Sequence, residues 1–329
     1  MSEARALAFV ASPLQLFNVY AAMKKFAVVD CDVCILDDGK SSRHLQIQQC
    51  AELYGLKYKL VSSQQMNIGS VQLLKSLLKS PFKKKEYGYL FFGDYRNGYG
   101  ALYLTQYVKR GGRVVFVDDG NSSISILHGL DVDKKTRLFY KFFEIWGRVL
   151  GVSAKDYFTV YRCDGITKFN IIQNDMLKAI SNGKLCDEIF FVGPAADVFA
   201  DALGVSLDYV LNQIDYTLKK IKEKSPAEKV VFIPHGRFDN DVIENLCTRN
   251  GVEYRRLNQC IELYCATRGC FPKAVYNIGS SSCLMNLKLM SPQTDVFDCD
   301  INGSNAEYLK ILQEIRSYYV ANGVEYIHL

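Results

Sequence analysis

Histidine and tryptophan are scarce in this chain, which has one tryptophan and four histidines among 329 residues: His44, His128, His235 and His328. Long apolar runs are absent as well. Because no stretch of about 18 apolar residues occurs, the sequence predicts no transmembrane helix. The first residues lack a charged segment followed by a long apolar one, so we expect no signal peptide and a cytoplasmic location.

Several motifs of nucleotide-using enzymes are missing too. No G-x-x-x-x-G-K-[ST] occurs, so a P-loop kinase is not supported. No G-x-G-x-x-G follows the first predicted strand, which argues against a dinucleotide-dependent oxidoreductase. Of the eleven cysteines, only Cys31 and Cys34 form a C-x-x-C pair, and no second pair follows as a zinc site requires. We therefore expect buried free thiols, no bound metal and no cofactor.

The charge of the chain is mildly basic, with a formal net charge of +5. That value is too small to indicate a nucleic-acid partner, but it is compatible with an anionic ligand. One basic run, Lys79 with Lys83, Lys84 and Lys85, leaves two interpretations open. It is either a solvated loop or a contact with an anionic glycan or the inner membrane face. The sequence makes no prediction of the oligomeric state.

Apolar strands and amphipathic helices alternate along the chain, beginning with a strand at Ala6–Ala11 and a helix at Leu14–Phe26. This alternation predicts an α/β protein with parallel sheets. Within it we expect a helix over residues 100–108 that ends near Gly111-Gly112. We also expect a linker loop near residues 173–187.

The same alternation predicts two domains for a chain of this length. Residues 1–175 form the first doubly wound domain, and residues 186–304 form the second. Residues 305–329 form a final amphipathic helix, which we expect to cross back onto the first domain. Two α/β domains facing one cleft would bind a small ligand in that cleft.

Three polar clusters each follow an apolar strand directly: Asp118-Asp119-Gly120, Pro234-His235-Gly236 and Ser280-Ser281-Ser282. Residues just past the carboxyl ends of parallel strands line the ligand crevice of an open α/β sheet. Each cluster alone has an ordinary structural explanation, since acidic residues with glycine form turns and serines cap helices. A second Asp-Asp-Gly, at Asp37–Gly39, is interpreted as such a turn.

The chemistry of the three clusters is complementary. A carboxylate can remove the proton from an attacking hydroxyl group. Serine hydroxyls and the N–H groups at a helix N-terminus can bind an anion, and a histidine can steady a departing phosphate. A base together with phosphate-binding groups indicates transfer from a nucleotide-activated donor to an alcohol.

The order and spacing of these motifs resemble the bacterial sialyltransferases of the GT-B fold. The most similar family is the lipooligosaccharide sialyltransferases, glycosyltransferase family 52, followed by the bacterial polysialyltransferases. The resemblance runs over most of the chain and includes, besides the three clusters, Ala11–Leu16, Phe91–Asn97, Val114–Gly120, Phe190–Pro194 and Ile261–Tyr264. One departure is that the family's second motif is usually His-Pro, whereas this chain has Pro234-His235-Gly236.

This resemblance implies a GT-B protein with two Rossmann-like domains, the first on the acceptor side and the second binding the donor. It implies an inverting, metal-independent transfer of sialic acid, or a related nonulosonic acid, from its CMP-activated form to a hydroxyl of a bacterial surface glycan. That glycan would belong to a lipooligosaccharide or a capsule. Asp119, or its neighbour Asp118, would be the general base.

The resemblance also implies roles on the donor side. His235, flanked by Pro234 and Gly236, would contact the donor phosphate and assist its departure. The serines of the third cluster, Ser281 and Ser282 with Ser280, would hold that phosphate. Glu262 would bind the ribose hydroxyls of the cytidine.

Three alternatives remain open on the sequence alone. The donor sugar could be Kdo, legionaminic acid or pseudaminic acid in place of sialic acid. The chain could also be a non-catalytic protein that binds nucleotide sugars or glycans, or a GT-B transferase that uses a UDP-sugar. The aromatic residues near Trp146 are either core or a contact between domains, or they form a surface for the acceptor or the membrane.

Overall fold

The computed structural model describes residues 4–37, 43–62, 86–93, 105, 107–128, 145, 147–149, 151–162, 169–179, 183–236 and 241–328. The chain divides into two compact units, residues 1–174 and residues 175–329. Each unit is built around one parallel sheet.

The first unit contains a seven-stranded sheet in the order β3-β2-β1-β4-β5-β6-β7, with neighbouring strands parallel. The chain fills one side of the sheet with β1 to β3 and then returns to fill the other side. The order of the strands therefore reverses between β1 and β4. The elements are β1 (Ala4–Val10), α1 (Pro13–Lys25), β2 (Val28–Asp37), α2 (Arg43–Leu53), β3 (Lys57–Ser62), β4 (Tyr87–Phe92), β5 (Val108–Val117), α3 (Asn121–Leu127), β6 (Ser153–Thr159) and β7 (Asn170–Gln173).

The sequence around α1 explains where the first crossover begins. Ser12 caps the helix, its Oγ accepting a hydrogen bond from the Gln15 N–H at 3.2 Å. Pro13 occupies the first turn, where its missing N–H costs nothing. Lys24 and Lys25 end the helix, where positive charge suits the helix dipole.

The second unit contains a six-stranded parallel sheet in the order β10-β9-β8-β11-β12-β13. Its strand order reverses between β8 and β11. The elements are α4 (Met176–Ala179), β8 (Lys184–Val192), α5 (Ala196–Leu203), α6 (Leu207–Lys224), β9 (Lys229–Ile233), α7 (Asp241–Arg249), β10 (Glu253–Tyr254), α8 (Ile261–Arg268), β11 (Cys270–Ile278), α9 (Ser282–Met290), β12 (Asp295–Cys299), α10 (Ala306–Ala321) and β13 (Glu325–Ile327).

One core cluster of the second unit lies between this sheet and the helices α5, α6, α7 and α10. Ile214, Leu218 and Ile221 recur at helical spacing along α6 and are fully buried. They pack in one cluster with the strand residues Phe191 and Phe232. Leu312 of α10 belongs to the same cluster, so the final helix contributes to the core of the second unit.

The predicted α/β class, with two doubly wound parallel sheets, is confirmed by these strand orders. The predicted helix over 100–108 is wrong at its end, because Val108 begins β5 and pairs with Tyr87 of β4. Gly111 and Gly112 belong to that strand instead of ending a helix. Gly111 has a φ of 79°, and the position of a Cβ on Gly112 is only 2.9 Å from the Gly88 carbonyl oxygen. These glycines therefore permit an irregular, closely packed strand.

The two units divide between residues 174 and 175, inside the predicted linker. That segment is not one long loop, because α4 occupies Met176–Ala179 and β8 begins at Lys184. Neither α5 nor β13 was expected from the sequence. The basic run at Lys79 and residues 83–85, most of the second Asp-Asp-Gly turn and the aromatic residues near Trp146 lie outside the described residues. Within the described part of the chain, no helix combines the length and the apolar character needed to cross a membrane.

We expect the Ile214→Ala substitution to lower the free energy of unfolding by about 2–5 kcal/mol, because it leaves a cavity in a fully buried cluster. The measurement is urea denaturation followed by circular dichroism. Val242→Ala on α7 is the matched control, since Val242 is 47% exposed and its truncation should cost less than about 0.5 kcal/mol. Equal losses in the two variants would contradict this assignment of the core.

Candidate functional site

The polar clusters predicted from the sequence lie at or beside the point of each sheet where the strand order reverses. In open parallel sheets such a reversal creates a crevice at the carboxyl ends of the strands. In the first sheet the reversal lies between β1 and β4, and Asp118-Asp119 follows β5, the strand next to β4. In the second sheet it lies between β8 and β11, and Ser280 follows β11.

Asp118 is the inner of the two adjacent carboxylates, and it is 1% exposed. Its Oδ2 accepts a hydrogen bond from the Val160 N–H at 2.7 Å, at the end of β6. Its Oδ1 is buried without a hydrogen-bond partner among the residues that the structure describes. Burial raises the pKa of Asp118 to about 7, with the Val160 N–H acting in the opposite direction. Asp118 therefore ties two neighbouring strand ends together.

Asp119 is the outer carboxylate and is only half-buried. Its backbone N–H donates to Ser123 Oγ at 2.8 Å. Its Oδ1 accepts a hydrogen bond from Gln15 Nε2 at 2.5 Å. The two aspartates therefore take different environments, although they are adjacent in the sequence. Only Asp119 combines partial exposure with a fixed side chain.

Gln15 is a further residue of the candidate site, and the sequence motifs did not single it out. It lies at the third position of α1 and is 1% exposed. Its Oε1 accepts from the Ala11 N–H at 2.6 Å, while its Nε2 reaches Asp119 across the sheet edge. The pattern Ser12-x-x-Gln15 is that of a capping box, in which the fourth residue folds back to the helix start. The pattern predicts a bond to the Ser12 N–H, whereas Gln15 bonds the Ala11 N–H one residue earlier, and it does not predict the contact with Asp119.

Ser280 begins the turn after β11 in a conformation that is unusual for serine, with a φ of 56°. Its backbone N–H and its hydroxyl group both donate hydrogen bonds to Asp298 of β12. The Ser280 N–H donates to Asp298 Oδ1 at 3.0 Å, and Ser280 Oγ donates to Asp298 Oδ2 at 2.5 Å. Since left-handed backbone is costly for a residue with a side chain, these two bonds stabilise the turn.

Ser281 and Ser282 start the helix α9, with Ser281 as its N-cap. The Ser281 N–H donates to Asn277 Oδ1 at 2.8 Å, and Asn277 Nδ2 donates to the Val192 carbonyl at 2.6 Å. Asn277 therefore joins the two strand ends on either side of the reversal. The Ser281 hydroxyl makes no cap hydrogen bond to the first turn of α9. A hydroxyl at a helix N-terminus that is not used for capping suits an anionic ligand.

Arg316 of α10 forms an ion pair with Asp298, the residue that holds Ser280. Its Nε lies 3.1 Å from Asp298 Oδ2, and the two side chains are 13% and 2% exposed. Burial raises the pKa of Asp298, and the positive charge of Arg316 opposes that shift. A buried polar chain thus runs from the final helix through Asp298 to Ser280. The polar residues Asn277 and Asp298 inside otherwise apolar strands were the sequence signal for it.

His235 is placed by the end of β9. Pro234 and His235 follow the last residue of the strand, Ile233, whose carbonyl accepts a hydrogen bond from the Gly193 N–H at 2.9 Å. The His235 side chain is exposed, and Pro234 and Gly236 are half-buried. β9 is the neighbour of β8, so His235 lies one strand away from the reversal in the second sheet.

Glu262 lies on α8 and is 3% exposed. Its Oε1 accepts from Asn286 Nδ2 at 2.7 Å, so its side chain packs against α9, the helix that Ser282 begins. Burial raises the pKa of Glu262, and the hydrogen bond from Asn286 opposes the shift. The carboxyl group of Glu262 is therefore next to the second turn of α9.

The structure thus brings Asp118, Asp119 and Gln15 together in the first unit. In the second unit it joins Ser280 and Ser281 to the buried side chains of Asp298 and Asn277. Within the part of the chain that the structure describes, no group of three or more histidine, cysteine or acidic side chains could hold a metal ion.

No protein-family model matches the chain, and no curated protein is a detectable relative. The structure is similar to that of UDP-GlcNAc 2-epimerase from Neisseria meningitidis bound to UDP-GlcNAc. The TM-score is 0.47 and the identity 10%, over 98% of this chain and 94% of the epimerase. It is also similar to Anabaena HepE in complex with UDP and glucose, with a TM-score of 0.46 and 10% identity over 97% of this chain and 95% of HepE.

These likenesses are too distant to carry an argument about this chain, because both TM-scores and both identities are low. Membership of glycosyltransferase family 52 therefore stays a prediction from the sequence motifs.

We expect Arg316→Ala to lower the free energy of unfolding by about 3–5 kcal/mol at pH 8, because it leaves the buried Asp298 carboxylate without its positive partner. Without Arg316 the pKa of Asp298 in the folded state rises further. The folded state then binds a proton more readily than the unfolded chain, so the loss of stability should be smaller at pH 5 than at pH 8.

Chemical denaturation at the two pH values measures this difference. Arg249→Ala is the control, since Arg249 is 66% exposed in its pair with Asp215 and should contribute less than about 1 kcal/mol. A loss in the Arg316 variant that is the same at pH 5 and pH 8 would show that Asp298 does not carry the effect.

Proposed function

We propose that this chain is an inverting, metal-independent glycosyltransferase of the GT-B type. Its donor is a CMP-activated sialic acid or a related nonulosonic acid, and its acceptor is a hydroxyl group of a bacterial surface glycan such as a lipooligosaccharide or a capsule. The first unit supplies the general base, and the second unit binds the donor. We place the protein in the cytoplasm, with a peripheral contact at the inner membrane as a further expectation.

The observation that carries this proposal is the turn Ser280–Ser282 at the strand reversal of the second sheet. Buried side chains hold the backbone of this turn on both sides, Asp298 at Ser280 and Asn277 at Ser281. The Ser281 hydroxyl does not cap α9, and the N–H groups that open a helix have no acceptor within it. A rigid turn of this kind supports a role in binding the phosphate of CMP.

On the acceptor side, Asp119 is the better candidate for the base. Asp118 is 1% exposed and is bonded to the backbone of Val160, so a substrate hydroxyl has little access to it. Asp119 is half-buried and its carboxylate is oriented by Gln15. A general base must lie within hydrogen-bond reach of the proton that it removes. We therefore assign the base to Asp119 and a structural role to Asp118.

The proposed reaction is a displacement of CMP from the anomeric carbon of the donor sugar by the acceptor hydroxyl group. The acceptor oxygen forms a bond to the anomeric carbon of the donor sugar, and its proton passes to Asp119. The bond between the anomeric carbon and the phosphate oxygen breaks, and its electron pair leaves with CMP. His235 and the serine hydroxyls stabilise the charge that develops on the departing phosphate. Because CMP carries a single phosphate, no divalent metal is needed to neutralise a pyrophosphate.

Glu262 is assigned to the ribose hydroxyls of the cytidine, since a carboxylate can accept two O–H hydrogen bonds. It lies against α9, the helix that opens with Ser282. In the ligand-free chain Glu262 is 3% exposed and its Oε1 accepts from Asn286, so this assignment comes from the motif resemblance and not from observed access.

We expect Asp119→Asn to lower kcat by about 10²–10⁴-fold, because the amide cannot accept the proton of the acceptor hydroxyl. The measurement is release of CMP from CMP-sialic acid in the presence of a glycan acceptor. Asp118→Asn is the comparison. The Asp118 side chain is buried beside the same turn, so this substitution should lower the free energy of unfolding more strongly than it lowers kcat. An unchanged rate of CMP release in Asp119→Asn would falsify the role of Asp119.

A thermal-shift titration tests the identity of the nucleotide. We expect CMP to raise the melting temperature and UDP to raise it much less, since a ligand stabilises the folded state that binds it. In His235→Ala the shift produced by CMP should shrink, while a shift produced by cytidine should not change. If UDP protects and CMP does not, the chain is a UDP-sugar transferase and the donor proposed here is wrong.

The same titration, combined with the rate assay, distinguishes the proposed transferase from a protein without catalytic activity. A protein that binds nucleotide sugars without catalysis would respond to CMP but would release none from CMP-sialic acid. A preference for CMP-Kdo, CMP-legionaminic acid or CMP-pseudaminic acid would leave the base and phosphate roles unchanged and alter only the sugar transferred.

A further inference from the structure

We propose that Gln15 is the positioning residue for the general base, fixing the carboxylate of Asp119 and keeping it ionised. This inference rests on the proposed function for its catalytic meaning, but the contact itself can be tested without any substrate. Gln15 Nε2 donates to Asp119 Oδ1 at 2.5 Å across a sequence separation of 104 residues. No feature of the sequence assigns a role to this glutamine beyond the helix start.

The orientation of the Gln15 amide follows from its two partners. The Ala11 backbone N–H can only donate, so the atom of Gln15 that lies 2.6 Å from it must be the oxygen. The other end of the amide, which faces Asp119, is therefore the NH₂ group. A donor in that position stabilises the charged carboxylate and not its protonated form.

Gln15 has almost no freedom to take another position. It is 1% exposed, and its own N–H is bonded to Ser12 Oγ at the helix cap. Gly93, at the end of β4, leaves the space that the side chain fills. The position of a Cβ on Gly93 is 2.5 Å from Gln15 Oε1 and 2.6 Å from its Cδ. Three neighbouring strand ends, those of β1, β4 and β5, are thus linked through this one side chain.

Two consequences follow for Asp119. A donated hydrogen bond favours the charged form of a carboxyl group, so we expect Asp119 to remain ionised to a lower pH with Gln15 than without it, while the neighbouring carboxyl group of Asp118 acts in the opposite direction. The hydrogen bond also fixes the plane of the carboxylate relative to the sheet edge. Removal of the donor takes away this contribution to the ionisation and the orientation of Asp119, even when the fold is intact.

The first experiment is a ¹³C NMR titration of the aspartate carboxyl groups in the ligand-free full chain, with Asp119 assigned through the Asp119→Asn variant. In Gln15→Ala we expect the pKa of Asp119 to rise by about one unit, since a charge-assisted hydrogen bond is lost. In Gln15→Glu it should rise at least as far, because a second carboxylate replaces the donor. An unchanged pKa of Asp119 in both variants would overturn the proposal.

The pH profile of kcat/KM tests the effect of Gln15 on the ionisation of Asp119 during turnover. A base must be deprotonated to act, so the acidic limb of the profile should move to higher pH by the same amount as the pKa. Gln173→Ala is the matched control, because Gln173 donates to the Thr159 and Val160 carbonyls at the next strand ends without contacting Asp119. Its loss should leave the acidic limb in place, even if stability falls.

Gly93→Ala provides a second variant that removes no chemical group. In the natural sequence its methyl group must displace the Gln15 side chain, and we expect kcat/KM to fall by about tenfold or more. In a Gln15→Ala background the displaced atoms are absent, so Gly93→Ala should add less than about a twofold further loss. Fully additive losses would show that Gly93 and Gln15 do not act through the same contact.

These outcomes distinguish failure of this proposal from failure of the proposed function. If Asp119→Asn leaves CMP release unchanged, Asp119 is not the base, but a raised pKa of Asp119 in the Gln15 variants still establishes the positioning contact. If Asp119→Asn abolishes release while the pKa and the pH profile are unchanged in Gln15→Ala and Gln15→Glu, the transferase assignment survives and Gln15 is only a structural residue.

Discussion

The reversal of strand order in each parallel sheet is the constraint on which the candidate site depends. Between β1 and β4, and again between β8 and β11, the chain leaves one strand in one direction and returns on the other side. The connecting segments therefore diverge, and backbone groups at the carboxyl ends of these strands are left without a covering crossover. The functional clusters predicted for this chain occupy these positions or the adjacent strand end.

Buried polar side chains convert these strand ends into rigid turns. Gln15 serves the first sheet, and Asn277 and Asp298 serve the second, each bonded to backbone or side chain at a strand end. A buried polar group without a partner is costly, so each of these side chains is held in one conformation by its bonds. Through its ion pair with Asp298, Arg316 on the final helix is linked to the turn that follows β11.

Adjacent residues with the same side chain take opposite roles in this arrangement. Asp118 is buried, with a raised pKa, and Asp119 is half-buried and bonded to an amide donor. The Asp118 carboxyl group accepts from the Val160 N–H at the end of β6, whereas the Asp119 carboxyl group accepts from Gln15 of α1. Two aspartates in sequence therefore represent one structural residue and one proposed base. The Asp-Asp-Gly motif alone does not distinguish the structural aspartate from the proposed base.

The sequence by itself determined the α/β class, most helix and strand positions and the location of the polar clusters after strands, because hydrophobic periodicity and strand-ending residues are local signals. It failed at Val108–Gly112 and at residues 173–187, where pairing with β4 and the start of β8 override local propensity. Only the tertiary structure decided that Gln15 meets Asp119 and that Asp298 meets Ser280. Contacts between residues distant in the chain depend on which strands pair, and no local pattern encodes that pairing.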